Sequence, residues 1–369
     1  MISFFKNFVY PISVLVGTII GVGFFALPYL TLKVGLWPMV GYFIVLGSFI
    51  TAIHYLFGEL VLITPDRKRL PGFAKLYLGA GAEKFVIFST IIGIFGGILA
   101  YCVVGGTFLA GMLSPILGGT TLLYTLLYFF LGSFLIFFGI SIITKIEFWG
   151  IVLRLVILAA LFFKGRAVLH TSNLMVAPNL SQLFLPYGVL LFSLWGADLI
   201  PEIEEMLGEK KKLLRIIIPV SLLIAMVVYG FFIYLILGIS GTHTTQEALV
   251  GLKDVLGPSV VTLALIFGLV TTFSAFITLG LTLKKIFWYD LKINEKAAWF
   301  ITFVPPLLLL LAGANNFIAI ISFAGGIMLG FNGILILLMY WRATKKTFVF
   351  PLILIFLLGI VYEIRYFVK

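Results

Sequence analysis

The feature that most constrains this chain is a succession of long apolar runs joined by short polar connections. About 20 consecutive apolar residues make a helix long enough to cross a bilayer. Strands of an outer-membrane barrel would instead alternate in polarity over about ten residues. The runs therefore predict an all-α integral membrane protein of about 11 transmembrane helices. They lie at roughly residues 8–30, 36–63, 85–113, 119–142, 147–163, 183–206, 213–238, 258–283, 297–312, 316–340 and 348–366.

The scarcity of charge excludes a soluble fold. Charged residues make up 11% and hydrophobic residues 62% of the 369 residues, whereas soluble domains carry about 25% charged residues. The connections leave no room for a soluble domain, so we expect one membrane domain over residues 1–369. The lone cysteine, Cys102, excludes an internal disulfide and a metal site built on several cysteines.

The positive charge is distributed unevenly between the two sides of the predicted bundle. Lysines and arginines are roughly three times as frequent in the connections on the N-terminal side as on the other side, as the positive-inside rule expects for the cytoplasmic face. The sequence thus predicts a cell-membrane protein with its N-terminus in the cytoplasm and its C-terminus outside. A nucleic-acid surface is the alternative reading of the net charge of +11, but the basic clusters lack interleaved aromatic residues, and we expect no such partner.

The order of the spans indicates an inverted repeat. Five spans fill residues 8–165, a polar connection follows, five more spans fill residues 182–340, and one extra helix covers 348–366. Because five is odd, the second set enters the membrane in the opposite sense. Inverted repeats of this kind are a recurring plan of secondary transporters, which hold their substrate near the midplane where broken helices meet.

The first span contains three glycines and a proline within twelve residues, Gly17 to Pro28. Such residues weaken a helix, and an unwound stretch inside a membrane must line protein or a cavity. Its freed amides at Gly21–Gly23 suit an anion such as a carboxylate. Close helix packing is the alternative, and Gly17 with Gly21 fits it. Gly23 and Pro28 are not needed for packing.

A second interruption is predicted in the sixth span, where Gly196 and Pro201 bracket Asp198. An ionisable group at membrane depth is a functional candidate by default. If the helix unwinds early, Asp198 instead reaches a cytoplasmic vestibule together with the following glutamates, such as Glu202.

At these residues the sequence resembles the amino acid/polyamine/organocation superfamily, and most closely its branch of aromatic amino acid permeases, which is related to amino acid-auxin permeases. The first-helix pattern is met at Gly17, Thr18, Gly21, Gly23, Ala26, Leu27 and Pro28. Weaker similarities cover Trp195, Gly196, Asp198, Pro201 and Glu202, the stretch Thr271-Thr272-Phe273-Ser274, and Leu99-Ala100-Tyr101.

The resemblance implies the leucine-transporter-like fold, with discontinuous helices 1 and 6, and an amino acid as the substrate. The substrate carboxylate would bind the amides of the first break, and its ammonium group would bind carbonyls of the sixth helix. The aliphatic and aromatic wall favours neutral or aromatic amino acids. The implied substrate-binding residues are Thr18, Gly21, Val22, Gly23, Tyr101, Phe192, Ser193, Trp195 and Gly196.

The coupling ion stays open between sodium and a proton, and no other cofactor or metal is expected. Relatives place sodium between the first and eighth helices, which here offer Gly17, Ile20, Thr271, Thr272 and Ser274. Phe273 stands where the family usually has serine. Arg154 is the alternative: it either replaces the cation or reaches for the inner surface. His54 and Glu59 are further proton candidates.

Three other functions are disfavoured. A channel would need a filter segment or rings of charge. An intramembrane enzyme would need paired catalytic groups, whereas the three histidines are scattered along the chain. ATP-driven transport would need a phosphate-binding loop. The sequence therefore predicts a symporter, with an exchanger or exporter as the alternative.

Overall fold

The computed structural model describes residues 5–65, 68–138 and 155–368. Six helical stretches in this part of the chain are long and apolar enough to cross a membrane, and a bent pair of helices makes a seventh candidate. Two shorter apolar helices, Thr121–Phe137 and Leu155–Gly165, accompany them. The structure thus confirms a helical membrane protein, while the count of 11 spans and the inverted repeat stay predictions.

The helices follow one another with short connections. In chain order they are α1 (Tyr10–Ile19), α2 (Leu27–Val34), α3 (Leu36–Ile63), α4 (Leu70–Leu78), α5 (Ala80–Leu117), α6 (Thr121–Phe137), α7 (Leu155–Gly165), α8 (Pro186–Ser193), α9 (Ile200–Leu207), α10 (Leu214–Ser240), α11 (Pro258–Lys285), α12 (Glu295–Leu311), α13 (Phe317–Ser322), α14 (Gly330–Thr344) and α15 (Val349–Val368). A π-helical segment, Phe323–Leu329, joins α13 to α14.

Two local features differ from the sequence expectation. Helix α4 occupies a stretch that the basic residues around it marked only as a connection; Leu70, Phe73 and Ala74 are buried and hold it against the bundle. The π-helical segment contains Gly325 and Gly326, and no pattern in the tenth predicted span indicated it. The predicted fifth span, 147–163, is described only from residue 155, and Arg154 lies outside the described residues.

Ion pairs support the predicted alternation of the spans. The five pairs in the described ranges are Arg69 with Glu202, Lys75 with Glu83 at 3.1 Å, Lys211 with Glu204 at 3.4 Å, Arg215 with Glu59 at 2.6 Å and Lys284 with Glu295 at 2.8 Å. Three of them each lie around a single connection, whereas Arg69–Glu202 and Arg215–Glu59 join different connections that the alternation places on the same side of the membrane. Which side is the cytoplasm stays a prediction from the charge distribution.

A cluster of buried phenylalanines closes the bundle around the segment that follows α1. Phe24 stacks on Phe232 of α10 with ring centroids 3.7 Å apart. Phe25 packs edge-to-face on Phe108 of α5 at 5.1 Å and on Phe267 of α11 at 6.2 Å. All five rings are at most 2% exposed. Aromatic packing of this kind fixes the segment between three long helices.

Candidate binding site at two broken helices

The first break lies between α1 and a short 3-10 helix, Val22–Ala26. The helix cannot continue because Gly21 adopts an extended conformation, with φ −104° and ψ −155°. The N–H of Gly21 turns back to the Ile19 carbonyl at 2.8 Å. The two halves of this span, Phe5–Ile19 and Val22–Val34, are bent by 56° relative to each other. An interruption at the predicted glycines is therefore present in the structure.

The first break requires glycine because side chains of other elements approach its backbone closely. A Cβ atom on Gly21 would lie 2.6 Å from the hydroxyl oxygen of Tyr101. A Cβ atom on Gly23 would overlap the Ser193 hydroxyl and lie 3.2 Å from the ring of Phe192. Ser193 ends α8, so Gly23 marks the point where the two interrupted spans touch.

Tyr101 reaches the first break from α5. Its hydroxyl oxygen accepts a hydrogen bond of 3.2 Å from the backbone N–H of Val22. This amide begins the second half of the broken span, where the helix dipole favours a negatively charged or acceptor group. Tyr101 is 5% exposed, so an oxygen acceptor is held at the amide that the sequence assigned to a carboxylate.

The second break separates α8 from α9. Gly196, with φ −148° and ψ 11°, interrupts the helix, which resumes as a single 3-10 turn, Ala197–Leu199. The N–H of Gly196 donates to Nε2 of His54 at 2.8 Å. Because Nε2 accepts this bond, the imidazole proton sits on Nδ1, which lies 2.8 Å from the Ile50 carbonyl. His54 is fully buried and holds the second break as a neutral imidazole.

Tyr229 of α10 connects the two breaks. Its hydroxyl oxygen lies 2.8 Å from the Ile19 carbonyl and 2.6 Å from the Ser193 carbonyl, so its single proton is shared between the carbonyls at which the two helices end. The side chain is fully buried. A tyrosine within an apolar run gives no sequence signal for this role, and the sequence analysis missed it.

The remaining residues predicted for substrate binding line the same region. The indole N–H of Trp195 donates to Asp198 at 3.3 Å, and its ring meets His54 edge-on at 5.3 Å. Asp198 and Thr18 are exposed, and Gly21 is half-buried. The Thr18 hydroxyl donates to the Val14 carbonyl at 3.1 Å. The exposure of Asp198 matches the alternative in which it reaches a vestibule.

Two of the hydroxyls predicted to bind the coupling ion are engaged within their own helix. In α11, the Thr272 hydroxyl donates to the Gly268 carbonyl at 2.8 Å, and the Ser274 hydroxyl donates to the Thr271 carbonyl at 3.1 Å. Phe273 packs against Tyr128 of α6 at 5.2 Å. These hydroxyls donate within their own helix, which is their usual behaviour in apolar surroundings. Sodium coordination with Gly17 and Ile20 stays a prediction.

A helical membrane bundle in which two broken helices meet has the architecture of a secondary transporter. The chain belongs to the tryptophan/tyrosine permease family, which it matches over residues 5–357. It is therefore a multi-pass membrane transporter rather than an enzyme, as the sequence predicted.

Individual relatives agree with this assignment. The chain is 23% identical over 354 residues to the tyrosine-specific transport system 1 of Haemophilus influenzae, covering 89% of this chain and 86% of the relative. Among solved structures, MhsT in complex with L-phenylalanine superposes with a TM-score of 0.61 at 15% identity, covering 96% and 97% of the two chains. A manganese transporter of Eremococcus coleocola gives 0.64 at 13% identity, covering 99% and 88%. The chain shares the fold of these transporters.

Proposed function

We propose that the chain is a secondary active transporter of aromatic amino acids, which it binds near the midplane between its two broken helices. The observation that carries this proposal is the junction of the breaks: Gly23 lies against Ser193, and Tyr229 links the carbonyls of Ile19 and Ser193. Membership in the tryptophan/tyrosine permease family supports an aromatic amino acid as the substrate.

Each pole of an amino acid has a counterpart at this junction. The carboxylate binds the amides at Gly21–Gly23, where the Tyr101 hydroxyl already provides an oxygen acceptor to Val22. The ammonium group binds carbonyls at the end of α8, near Phe192, Ser193 and Leu194. Helix ends at membrane depth suit both poles, because amides at a helix start favour anions and carbonyls at a helix end favour cations.

The proposed mechanism is alternating access between two inverted five-span repeats, with the N-terminus in the cytoplasm. Buried phenylalanines cover the break on the side of α2, whereas Thr18 and Asp198 are exposed on the other side. This difference supports a conformation closed towards the predicted outside. Symport with a proton or sodium is the proposed direction of coupling.

Uptake into proteoliposomes tests the proposal. Purified protein is reconstituted and given labelled tyrosine, tryptophan, phenylalanine, leucine and lysine, first under a sodium gradient and then under a pH gradient. We expect uptake of the aromatic amino acids under one gradient and little uptake of lysine. Failure to take up or exchange any amino acid under either gradient would overturn the proposed function.

A further inference from the structure

A buried carboxyl group lies in α15, away from the proposed substrate site. Glu363 is 1% exposed, and both of its carboxyl oxygens lie 3.0 Å from the Ser322 hydroxyl. The backbone N–H of Gly188 in α8 also donates to this carboxyl. Glu363 therefore joins the C-terminal helix to the first turn of the half-helix that ends at the second break.

Glycines shape the slot that holds this carboxyl. A Cβ atom on Gly188 would lie 2.6 Å from Oε1 of Glu363, and a Cβ atom on Gly326 would overlap its side chain. Gly359, one turn earlier in α15, is in contact with the ring of Tyr187. Three elements thus meet closely around one acidic side chain.

No cation in the described part of the chain forms an ion pair with Glu363. Among the described residues, the phenols of Tyr42 in α3, Tyr187 in α8 and Tyr362 in α15 are titratable groups within electrostatic reach of Glu363. The segment Phe317–Leu329 carries no titratable side chain. The helix α14 also packs against α15, and its titratable groups lie at the end of α14 that is far from Glu363.

Those distant groups do not compensate the carboxyl. Tyr340 of α14 packs against Phe348, which precedes α15 at the opposite end from Glu363, and Arg342 follows two residues later. Arg365, on the same helix as Glu363, is exposed. An uncompensated carboxylate inside a membrane protein is unfavourable, and such residues mark proton or ion pathways by default.

Two protonation states have distinct partners in this slot. The carboxylate accepts from Ser322 and Gly188, whereas the protonated acid can also donate one hydrogen bond. The Tyr187 hydroxyl is buried without a hydrogen-bond partner among the described residues and lies in the same region. Glu363 is five residues from the end of α15, about 7.5 Å along the helix, which leaves a short route for protons.

We propose that Glu363 is a proton-binding site that couples protonation to movement of α8, and thereby to the second break. This inference rests on the proposed transport function. Gain of a proton weakens the acceptor contact to the first turn of α8, and loss of the proton restores it. Transport would then take one proton with each substrate through the C-terminal helix rather than through the predicted ion-coupling residues.

The test compares exchange with accumulation in proteoliposomes at zero membrane potential. Wild-type protein is expected to accumulate labelled tyrosine about tenfold for each unit of inward pH gradient, the ratio set by one coupled proton. Glu363→Gln is expected to exchange internal for external tyrosine at a similar rate but to accumulate none. Glu209→Gln, an exposed acidic position, serves as the control and should accumulate as the wild type does.

Accumulation by Glu363→Gln equal to that of the wild type would overturn the inference. Wild-type protein that exchanges tyrosine but does not accumulate it in response to the pH gradient would also overturn the inference, while leaving the proposed function intact. If Glu363→Gln does not insert, Ser322→Ala carries the test: loss of a donor to the carboxylate should move the pH of half-maximal transport upward. An unchanged midpoint in Ser322→Ala would overturn the inference.

Discussion

At each of the two broken helices a backbone amide lacks a partner in its own helix, and a different side chain caps it. At the first break the amide of Val22 is capped by a phenol hydroxyl, from Tyr101, and Gly21 is half-buried. At the second break the amide of Gly196 is held by the imidazole of His54, and both residues are buried. Tyr229 serves both breaks, through the carbonyls at the two helix ends.

This difference assigns different tasks to the two breaks. The Val22 amide is buried, but the adjacent Gly21 is half-buried, and a ligand carboxylate that replaces the Tyr101 oxygen as the acceptor creates no new unsatisfied group. An imidazole with both nitrogens engaged in a buried position is a fixed support. Under the proposed function, the first break binds the substrate carboxylate, and His54 keeps the carbonyl end of α8 in position for the ammonium group.

The largest effect is expected where the breaks touch. Gly23→Ala places a methyl group against Ser193 and Phe192, and overpacking of this kind costs about 1–3 kcal/mol. We expect tyrosine uptake to fall at least about tenfold while the protein still inserts. Gly41→Ala is the matched control, since a Cβ atom on Gly41 meets no atom within 4 Å. Equal uptake by both variants would contradict contact between the breaks.

Removal of the shared hydroxyl should affect both breaks together. Tyr229→Phe removes the donor shared by the Ile19 and Ser193 carbonyls. The Ile19 carbonyl keeps the Gly21 N–H, so the cost of about 1–3 kcal/mol falls on the buried Ser193 carbonyl. Both thermal stability in detergent and uptake should fall, and Tyr289→Phe, at a side chain 51% exposed, should change neither. A Tyr229→Phe variant with wild-type stability and uptake would show that the Tyr229 hydroxyl does not link the two breaks.

Loss of the His54 contact at the second break should lower protein stability more than substrate affinity. His54→Leu keeps a similar volume but leaves the Gly196 N–H without its acceptor, again about 1–3 kcal/mol. A lower melting temperature is expected, with the affinity of the remaining folded protein for tyrosine changed less than in Gly23→Ala. His243→Leu, at an exposed position, is the control. A large affinity loss at unchanged stability would place His54 in the binding site instead.

The smallest effect separates two roles of Tyr101. If its hydroxyl contributes to carboxylate binding, Tyr101→Phe weakens tyrosine affinity by about 0.5–1.5 kcal/mol, the net range for a hydrogen bond that replaces another. If the hydroxyl only competes for the Val22 amide, affinity increases. We expect the affinity to decrease, as measured by equilibrium binding of labelled tyrosine.

Local backbone signals made the breaks predictable, whereas their supports were not. Gly21 and Gly196 interrupt helices by their own conformations, so the sequence indicated both positions. Tyr101, His54 and Tyr229 act across 79, 142 and 210 residues of chain, and no spacing rule connects such distant positions. The resemblance pointed to Tyr101, the sequence singled out His54 only as a proton candidate, and Tyr229 gave no signal.

The same limit applies to the rest of the fold. Continuous apolar runs predicted α3 at its observed bounds, since length and hydrophobicity are local properties. Glu363 lies within the predicted last span, but its burial could not be predicted, because it depends on glycines in α8 and the π-helical segment rather than on its own helix. The basic residues near α4 obscured a short helix whose buried face comprises only Leu70, Phe73 and Ala74.

Competition binding with tyrosine analogues tests the central claim most directly. Labelled tyrosine is bound to the purified protein and challenged with tyramine, which lacks the carboxylate, and with 3-(4-hydroxyphenyl)propionate, which lacks the amine. If the two poles bind different breaks, as proposed, neither analogue should displace tyrosine at concentrations where unlabelled tyrosine does. Displacement by tyramine as effective as by tyrosine would contradict a carboxylate site at the first break.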